Sequence, residues 1–367
     1  MKLTAKCTIC ACFLAPLFLI GGASASSPAW SSIASLPSAI GNAAAVSAAC
    51  AGSTSSRCVY SIGGSTESVN GLRALYMYNP QTKQWKGEAS MSTGRSQLGA
   101  ASGPCPNDLG QTCVYAIGGT AATGAFLSSV EIYNPYTNRW SFAPPVPTPY
   151  ASPSFPGRSQ LAASNGPCFT ALTRTCVYAI AGYNMSLYAL SSVEMFDPAT
   201  GHWTAAASLR TARSRVAAAS APCRGSLAQA CIYAVGGTGD SGFLGSVEMY
   251  QPSTNTWSAV AELHAKSSSA SLDVAGAAAS PALCVTQTTR LCLYAYGGQD
   301  QNFNILNAAM MYDPRLNVWT YVAPMTTSRD NFGGASAPCV QGLPTSCLFA
   351  LGGSARSYIQ RAETLTP

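Results

Sequence analysis

Apolar and polar positions along this chain fall into a block that recurs six times. Each block opens on a run of small residues, such as Leu98-Gly99-Ala100-Ala101-Ser102 or Val216-Ala217-Ala218-Ala219-Ser220. A cysteine pair follows, and then an apolar run stopped by glycine: Val59-Tyr60-Ser61-Ile62-Gly63-Gly64, Val114-Tyr115-Ala116-Ile117-Gly118-Gly119, Ile232-Tyr233-Ala234-Val235-Gly236-Gly237. A third run ends in a turn signal, as in Val130-Glu131-Ile132-Tyr133-Asn134-Pro135 and Val247-Glu248-Met249-Tyr250-Gln251-Pro252. A last run carries a tryptophan. Short runs bounded by Gly, Pro and Asn predict strands, four to a block. An Ala-rich helix is a poor reading of the first run, because Gly, Ser and Pro flank it.

The tryptophans set the phase of the repeat. Trp30, Trp85, Trp140, Trp203, Trp257 and Trp319 stand 54 to 63 residues apart. Five follow a block; Trp30 precedes the first block, and the last block has none. A repeat cut at both ends, each end holding the other's missing piece, predicts a closed ring. Trp30-Ser31-Ser32-Ile33-Ala34 then becomes the outer strand of the last unit, whose third strand is supplied by residues 362–367. The small-residue runs fit this ring, since strands converging on one axis leave little room for side chains. The diglycine suits a turn that needs positive φ; Ala181 replaces its first member once.

Gly-Gly after the second strand, Tyr in the third and Trp in the fourth resemble the Kelch repeat, whose units of about 50 residues build β-propeller blades. The resemblance extends over nearly all of residues 26–367, six times. It implies an all-β, six-bladed Kelch-type β-propeller with four-stranded antiparallel blades, the ring closed by the N-terminal outer strand in the last blade.

Residues 1–25 read as a secretory signal peptide: Lys2 and Lys6, an apolar stretch from about Ile9 to Ile20, then Ala23-Ser24-Ala25 as a cleavage site. No other apolar run is long enough to span a membrane. Of fifteen cysteines, three fall in that segment. The other twelve form six equally spaced pairs: Cys50 with Cys58, Cys105 with Cys113, Cys168 with Cys176, Cys223 with Cys231, Cys284 with Cys292 and Cys339 with Cys347. That spacing is not a zinc spacing, and six local disulfides in an oxidising compartment are expected. Secretion or a periplasmic location follows from both signals. Charged residues are only 9% of the chain and the net charge is +6, with no basic run, which argues against nucleic acid as a partner.

In a four-stranded meander the loops after strands two and four share one face, and the cysteine pairs staple the other. The first face carries loops 65–71, 120–127, 183–190, 238–245, 299–306 and 354–361, polar with aromatics interspersed. Among these, Tyr183, Phe243 and Phe303 are candidate ligand contacts, alongside Phe126, Tyr188 and Tyr358. Two longer connections on this face hold Tyr150 and Phe155, and His264 and Lys266. Arg95, Arg158, Arg213 and Arg329 each stand ten residues before the first cysteine of their block. Ile40 takes that place in the first blade, and Asp273 is nearest to it in the fifth. At the channel mouth, these guanidinium groups would favour an acidic ligand. The recurring Glu131, Glu194, Glu248 and Glu363 read as scaffold, because they repeat at one strand position.

No P-loop, G-x-S-x-G or H-E-x-x-H occurs, and two histidines, His202 and His264, do not make the copper site of a Kelch-type galactose oxidase. No cofactor, metal or catalytic residue is expected. The reading is an exported binding module for a protein, peptide or glycan, acting through its loop-rich face. The alternative rests on resemblance to periplasmic six-bladed Kelch proteins that act as sialic acid mutarotases. Such a carbohydrate isomerase would use the mouth arginines with Asp273, Asp330 or Asp240. Asn184-Met185-Ser186 is a glycosylation sequon, relevant in a eukaryote.

Overall fold

The computed structural model describes residues 28–53, 55–149, 157–185, 188–264, 274–285, 287–339 and 346–366. Residues 1–25, expected to be a signal peptide, and Tyr150, Phe155, Lys266 and Asp273 lie outside them. Six four-stranded antiparallel sheets, one per repeat, run from an inner strand at the axis to an outer strand at the rim. Blade 2 shows the plan, with inner strand Gly99–Cys105, second strand Asp108–Ile117, third strand Val130–Asn134 and outer strand Arg139–Ala143. Its register sets Ser102 against Val114, Ala116 against Glu131 and Tyr133 against Trp140. The second strand is apolar on both faces because neighbouring blades cover both; Val114, Tyr115, Ala116 and Ile117 are all fully buried. The core is accordingly spread between blades, so that Tyr60 and Ile62 of blade 1 pack with Val114 and Tyr133 of blade 2.

The ring closes as the tryptophan phase requires. Trp30–Ile33 pairs antiparallel with Ala362–Leu365, Trp30 opposite Leu365, and completes blade 6. Each indole N–H then reaches the linker after the preceding blade's outer strand: Trp85 to the Ala34 carbonyl at 2.7 Å, Trp140 to Ala89 at 2.7 Å, Trp203 to Pro144 at 2.9 Å. Trp257 donates to Ala207, Trp319 to Ala261 and Trp30 to Ala323. The latch is therefore the same at the junction of the two chain ends as elsewhere. A third-strand aromatic stacks on the same indole, Tyr250 on Trp257 at 5.2 Å and Phe196 on Trp203 at 5.2 Å.

All six expected disulfides are formed. Cys50 is joined to Cys58, Cys105 to Cys113, Cys168 to Cys176, Cys223 to Cys231, Cys284 to Cys292 and Cys339 to Cys347, with Cα separations of 4.8–5.0 Å. They tie the first hairpin of every blade at the face opposite the variable loops. The second cysteine of each pair also belongs to the core. Cys58, Cys113, Cys231 and Cys347 are buried in four different apolar clusters between blades, so these sulfurs are scaffold.

The tyrosine two residues after the second cysteine has a defined task there. Its hydroxyl donates to the carbonyl preceding the first cysteine: Tyr60 to Ala49 at 2.6 Å, Tyr233 to Pro222 at 2.6 Å, Tyr294 to Leu283 at 2.6 Å, and likewise Tyr115 and Tyr178. A buried carbonyl is thereby satisfied at the hairpin end. Blade 6 has Phe349 at this place. The diglycine divides its labour. The first position has φ of 58–64°, which Ala181 also adopts at 58°, while the second reaches 92–114° and is glycine in every blade.

Inner strands line an axial cavity of about 230 Å³ with alanines and one ring of small polar groups, Ser47, Ser102, Asn165, Ser220 and Ser336, interrupted by Pro281. No helix of the described residues is long and apolar enough to cross a membrane.

Candidate functional site

The loop-rich mouth is organised by a feature that sequence reasoning missed. Asn42, Gln97, Gln160, Arg215, Gly276 and Asn331 occupy equivalent places just ahead of the inner strands, all at φ between 48° and 66°. Each donates its backbone N–H to the carbonyl of the preceding member: Gln97 to Asn42 at 2.8 Å, Gln160 to Gln97 at 2.9 Å, Arg215 to Gln160 at 2.9 Å, Gly276 to Arg215 at 3.0 Å, Asn331 to Gly276 at 2.9 Å. Asn42 closes the circle on Asn331 at 2.7 Å. Six blades are thus knitted head to tail about the axis by main chain alone. The left-handed backbone that turns each N–H along the ring favours Asn and Gly, and it strains Gln and Arg by about 1 kcal/mol or more apiece. The signal was present in the sequence as Ile40-Gly41-Asn42, Arg95-Ser96-Gln97, Val274-Ala275-Gly276 and Arg329-Asp330-Asn331, but only the ring gives it meaning.

Two residues before four of the six ring members stands a predicted arginine, and here the expectation is corrected. Arg95, Arg158, Arg213 and Arg329 do lie at the loop-rich end, but all four are 0% exposed and line the blade interior rather than the mouth. Each is paired with the third-strand glutamate of its own blade: Arg95 with Glu131 at 2.7 Å, Arg213 with Glu248 at 2.6 Å, Arg329 with Glu363 at 2.5 Å, and Arg158 with Glu194. The guanidinium also donates to the carbonyl of the first diglycine residue, as from Arg95 to Gly118 at 3.0 Å and from Arg213 to Gly236 at 2.8 Å. The glutamate in turn accepts backbone N–H groups of the linker, Glu131 from Ser92 and Thr93, Glu248 from Arg210 and Thr211. Burial lowers the pKa of Arg95, Arg213 and Arg329, and the facing carboxylate offsets it. The fifth blade's equivalent is Val274, not Asp273: its carbonyl accepts from Gly237 just as that of Arg95 accepts from Gly64. The glutamates are scaffold, as their repetition indicated.

The arginine that does face the mouth is Arg215, a ring member. Its Nη2 reaches Asp330 Oδ2 at 3.3 Å and Asn331 Oδ1 at 3.4 Å, and its Cζ lies 5.7 Å from the Phe243 ring centroid. Burial pushes the Asp330 carboxyl up against the pull of Arg215. Phe243 meets Phe303 edge-on at 5.6 Å. Phe303 is 70% exposed, the most exposed large apolar side chain described. Asp330, Arg215, Phe243 and Phe303 therefore form one line from the axis to the tip of the fifth blade's loop, changing from charged to aromatic. Next to it, a cleft of about 430 Å³ is lined by Tyr183, Ser214, Thr238 and Asp240. Tyr183 packs edge-on against Phe126 at 5.7 Å.

Other expected contacts fold inward. Tyr358 covers Gly41, where a Cβ would meet its ring at 2.3 Å, and its hydroxyl accepts from Asn42 Nδ2 at 3.0 Å. Asn184 of the sequon is fully buried and donates to the Gly157 carbonyl, so it presents no glycosylation acceptor in the folded chain. His264 meets Tyr321 edge-on, and the Tyr321 hydroxyl donates to the His264 carbonyl. Among the described residues, the one group of three potential metal-ligating side chains is Cys168, Cys176 and Asp197. Two of these are a disulfide, and the third is paired with Arg174 at 2.9 Å.

The Kelch motif matches residues 48–92, 110–147, 167–210, 230–264 and 282–326. The chain belongs to the Kelch-repeat family. It is 38% identical over 120 residues to the F-box/kelch-repeat protein SKIP20 of Arabidopsis thaliana, which covers 32% of this chain and 27% of that protein. It is 32% identical over 224 residues to Kelch-like protein 36 of Bos taurus, covering 58% of this chain and 31% of that one. The chain thus matches about a third of the length of these curated relatives. Among solved structures, that titled "Structure of YjhT" aligns with a TM-score of 0.63 over 92% of this chain and 100% of its own, at 14% identity, a likeness of fold.

Proposed function

We propose that this Kelch propeller is an exported binding module whose loop-rich face takes a protein or peptide partner. The observation that carries the reading is the line Arg215, Phe243, Phe303, with its exposed aromatic end and its charged, half-buried root. Interfaces draw their affinity from such aromatic and arginine anchors, ringed by polar groups. Kelch repeats serve as interaction modules in general, and the Kelch-like and F-box relatives carry the repeat within longer chains. Six formed disulfides suit an oxidising compartment, which supports export and a signal peptide at residues 1–25. A glycan is the second ligand class for the same face, since the cleft beside Tyr183 offers hydroxyls and a carboxylate next to an aromatic ring.

The test is a displayed random-peptide selection on the whole chain, repeated with Phe243→Ala/Phe303→Ala, alongside a glycan array. Selected peptides should lose about a hundredfold in affinity on the double variant, two anchors of more than about 1 kcal/mol each. Ligands that bind parent and variant equally would sink the site. The isomerase reading has lost its arginine ring to the blade interior and retains Asp330 beside Arg215 and Asp240 in the cleft; unchanged interconversion of sialic acid anomers by NMR in the presence of protein would remove it.

A further inference from the structure

The face opposite the loops has a composition that folding alone does not require. Leu109, Leu172 and Leu227 stand at the same place in three successive blades, four residues after the first cysteine, at the tip of the disulfide-tied hairpin. They are 48%, 51% and 41% exposed. Leu291, beside Cys292, and Leu316, in the turn before blade 5's outer strand, are 44% and 64% exposed. Every exposed leucine among the described residues is on this face. A leucine at a solvent-facing hairpin tip gains nothing for the fold, and all five exposed leucines among the described residues are set on one side of the ring.

The charges on the same face are as one-sided. Arg57, Lys83, Arg139, Arg224 and Arg315 are exposed there, against one exposed carboxylate among the described residues, Asp108. Asp197 and Asp313 are buried and held by Arg174 and Arg290 at 2.9 and 3.1 Å. The loop-rich face, by contrast, sets Asp240, Asp300 and Glu67 against Arg73, Arg356 and Arg361. Among the described residues the positive excess is thus gathered on the cystine face.

We propose that the cystine face docks on an anionic lipid bilayer. Equivalent hairpins of a closed ring put their tips in one plane perpendicular to the axis, and a plane is the shape of a bilayer surface. Leucine tips enter the headgroup boundary while the interleaved cations meet lipid phosphates, the combination by which peripheral proteins bind membranes. The disulfide in each tip holds the leucine out rather than letting the hairpin fold back. Docking in this pose points the Arg215–Phe303 line away from the membrane, open to a partner.

Cosedimentation of the whole chain with vesicles tests this, using phosphatidylcholine alone and phosphatidylcholine with roughly one-third phosphatidylglycerol. Binding is expected to the anionic vesicles and to fall steeply with salt. Arg139→Gln/Arg224→Gln/Arg315→Gln should weaken it roughly a hundredfold, near fivefold per charge. Leu109→Ser/Leu172→Ser/Leu227→Ser, which leaves the charge unchanged, should weaken it about tenfold or more. Thermal melts equal to the parent's show that both triple variants keep the fold. Three outcomes overturn the proposal: equal binding to neutral vesicles, full binding by the leucine variant, or retention on heparin with no vesicle binding, which assigns the face to a soluble polyanion.

Discussion

Blades 2, 3, 4 and 6 and blades 1 and 5 solve one problem in two ways. At the end of the linker, the four blades bury Arg95, Arg158, Arg213 or Arg329, and the two others bury Ile40 or Val274. On the third strand, the four present Glu131, Glu194, Glu248 or Glu363, while the register puts Tyr76 and Met310 at the same place in blades 1 and 5. Arginine and glutamate come and go together within a single chain. A buried charge without its partner costs several kcal/mol, whereas an apolar pair of matching volume is tolerated. Val274 and Met310 sit 4% and 3% exposed in one apolar cluster, which is the second solution in place. What the comparison teaches is that the arginines hold linker to blade and are not kept for a ligand.

Removing one partner breaks that comparison hardest. Arg213→Ala or Glu248→Ala should destabilise by about 3–5 kcal/mol in denaturant unfolding, whereas Val274→Ala in blade 5 should cost no more than about 2 kcal/mol. Equal losses at Arg213 and Val274 would mean that the ion pair has no special role. Acid separates the blades next. Burial opposes ionisation of Glu363, but the Thr326 bonds and Arg329 outweigh it and hold its pKa below the ordinary value. Its contribution is therefore complete above the unfolded glutamate pKa of about 4.3 and lost as pH falls through the lower folded value. Glu363→Gln should flatten the stability–pH curve in that window, and an unchanged curve would contradict the assignment. Tyr115→Phe, which gives blade 2 the residue type blade 6 has at Phe349, should cost about 1 kcal/mol, read as a small drop in Tm. The smallest effect is expected from Arg213→Val/Glu248→Met, the transplant of blade 5's pair: about 1 kcal/mol or less net. A double variant as damaged as the sum of its single changes would refute the exchange of one solution for the other.

Much of this was legible in the residues. Tryptophan phase gave ring closure, because an outer strand and its third-strand partner must belong to one sheet even when they are 335 residues apart, as Trp30 and Leu365 are. Cysteine spacing gave the disulfides, because a tie within one hairpin is a local matter. The arginines were located correctly along the chain and wrongly in space. Periodicity names the blade and the strand end, but the direction of a long side chain depends on which blade wall it meets. Phe303 and Tyr358 show the same limit: both are loop aromatics, one 70% exposed and the other folded onto Gly41.

The chain by itself therefore determined the number of blades, their strand content, the join of the two ends and the stapled face. Each of these follows from patterns repeated within about sixty residues or from the phase of the repeat. Tertiary structure alone decided which groups converge on the axis. The ring through Asn42, Gln97, Gln160, Arg215, Gly276 and Asn331 joins residues spread over 289 positions, each contributing one N–H and one carbonyl. Asn42, Gly276 and Asn331 mark the left-handed turns in the sequence, but which carbonyl each N–H meets is set only by the closed geometry. That same closure turned four arginines inward and left Arg215 to face the mouth.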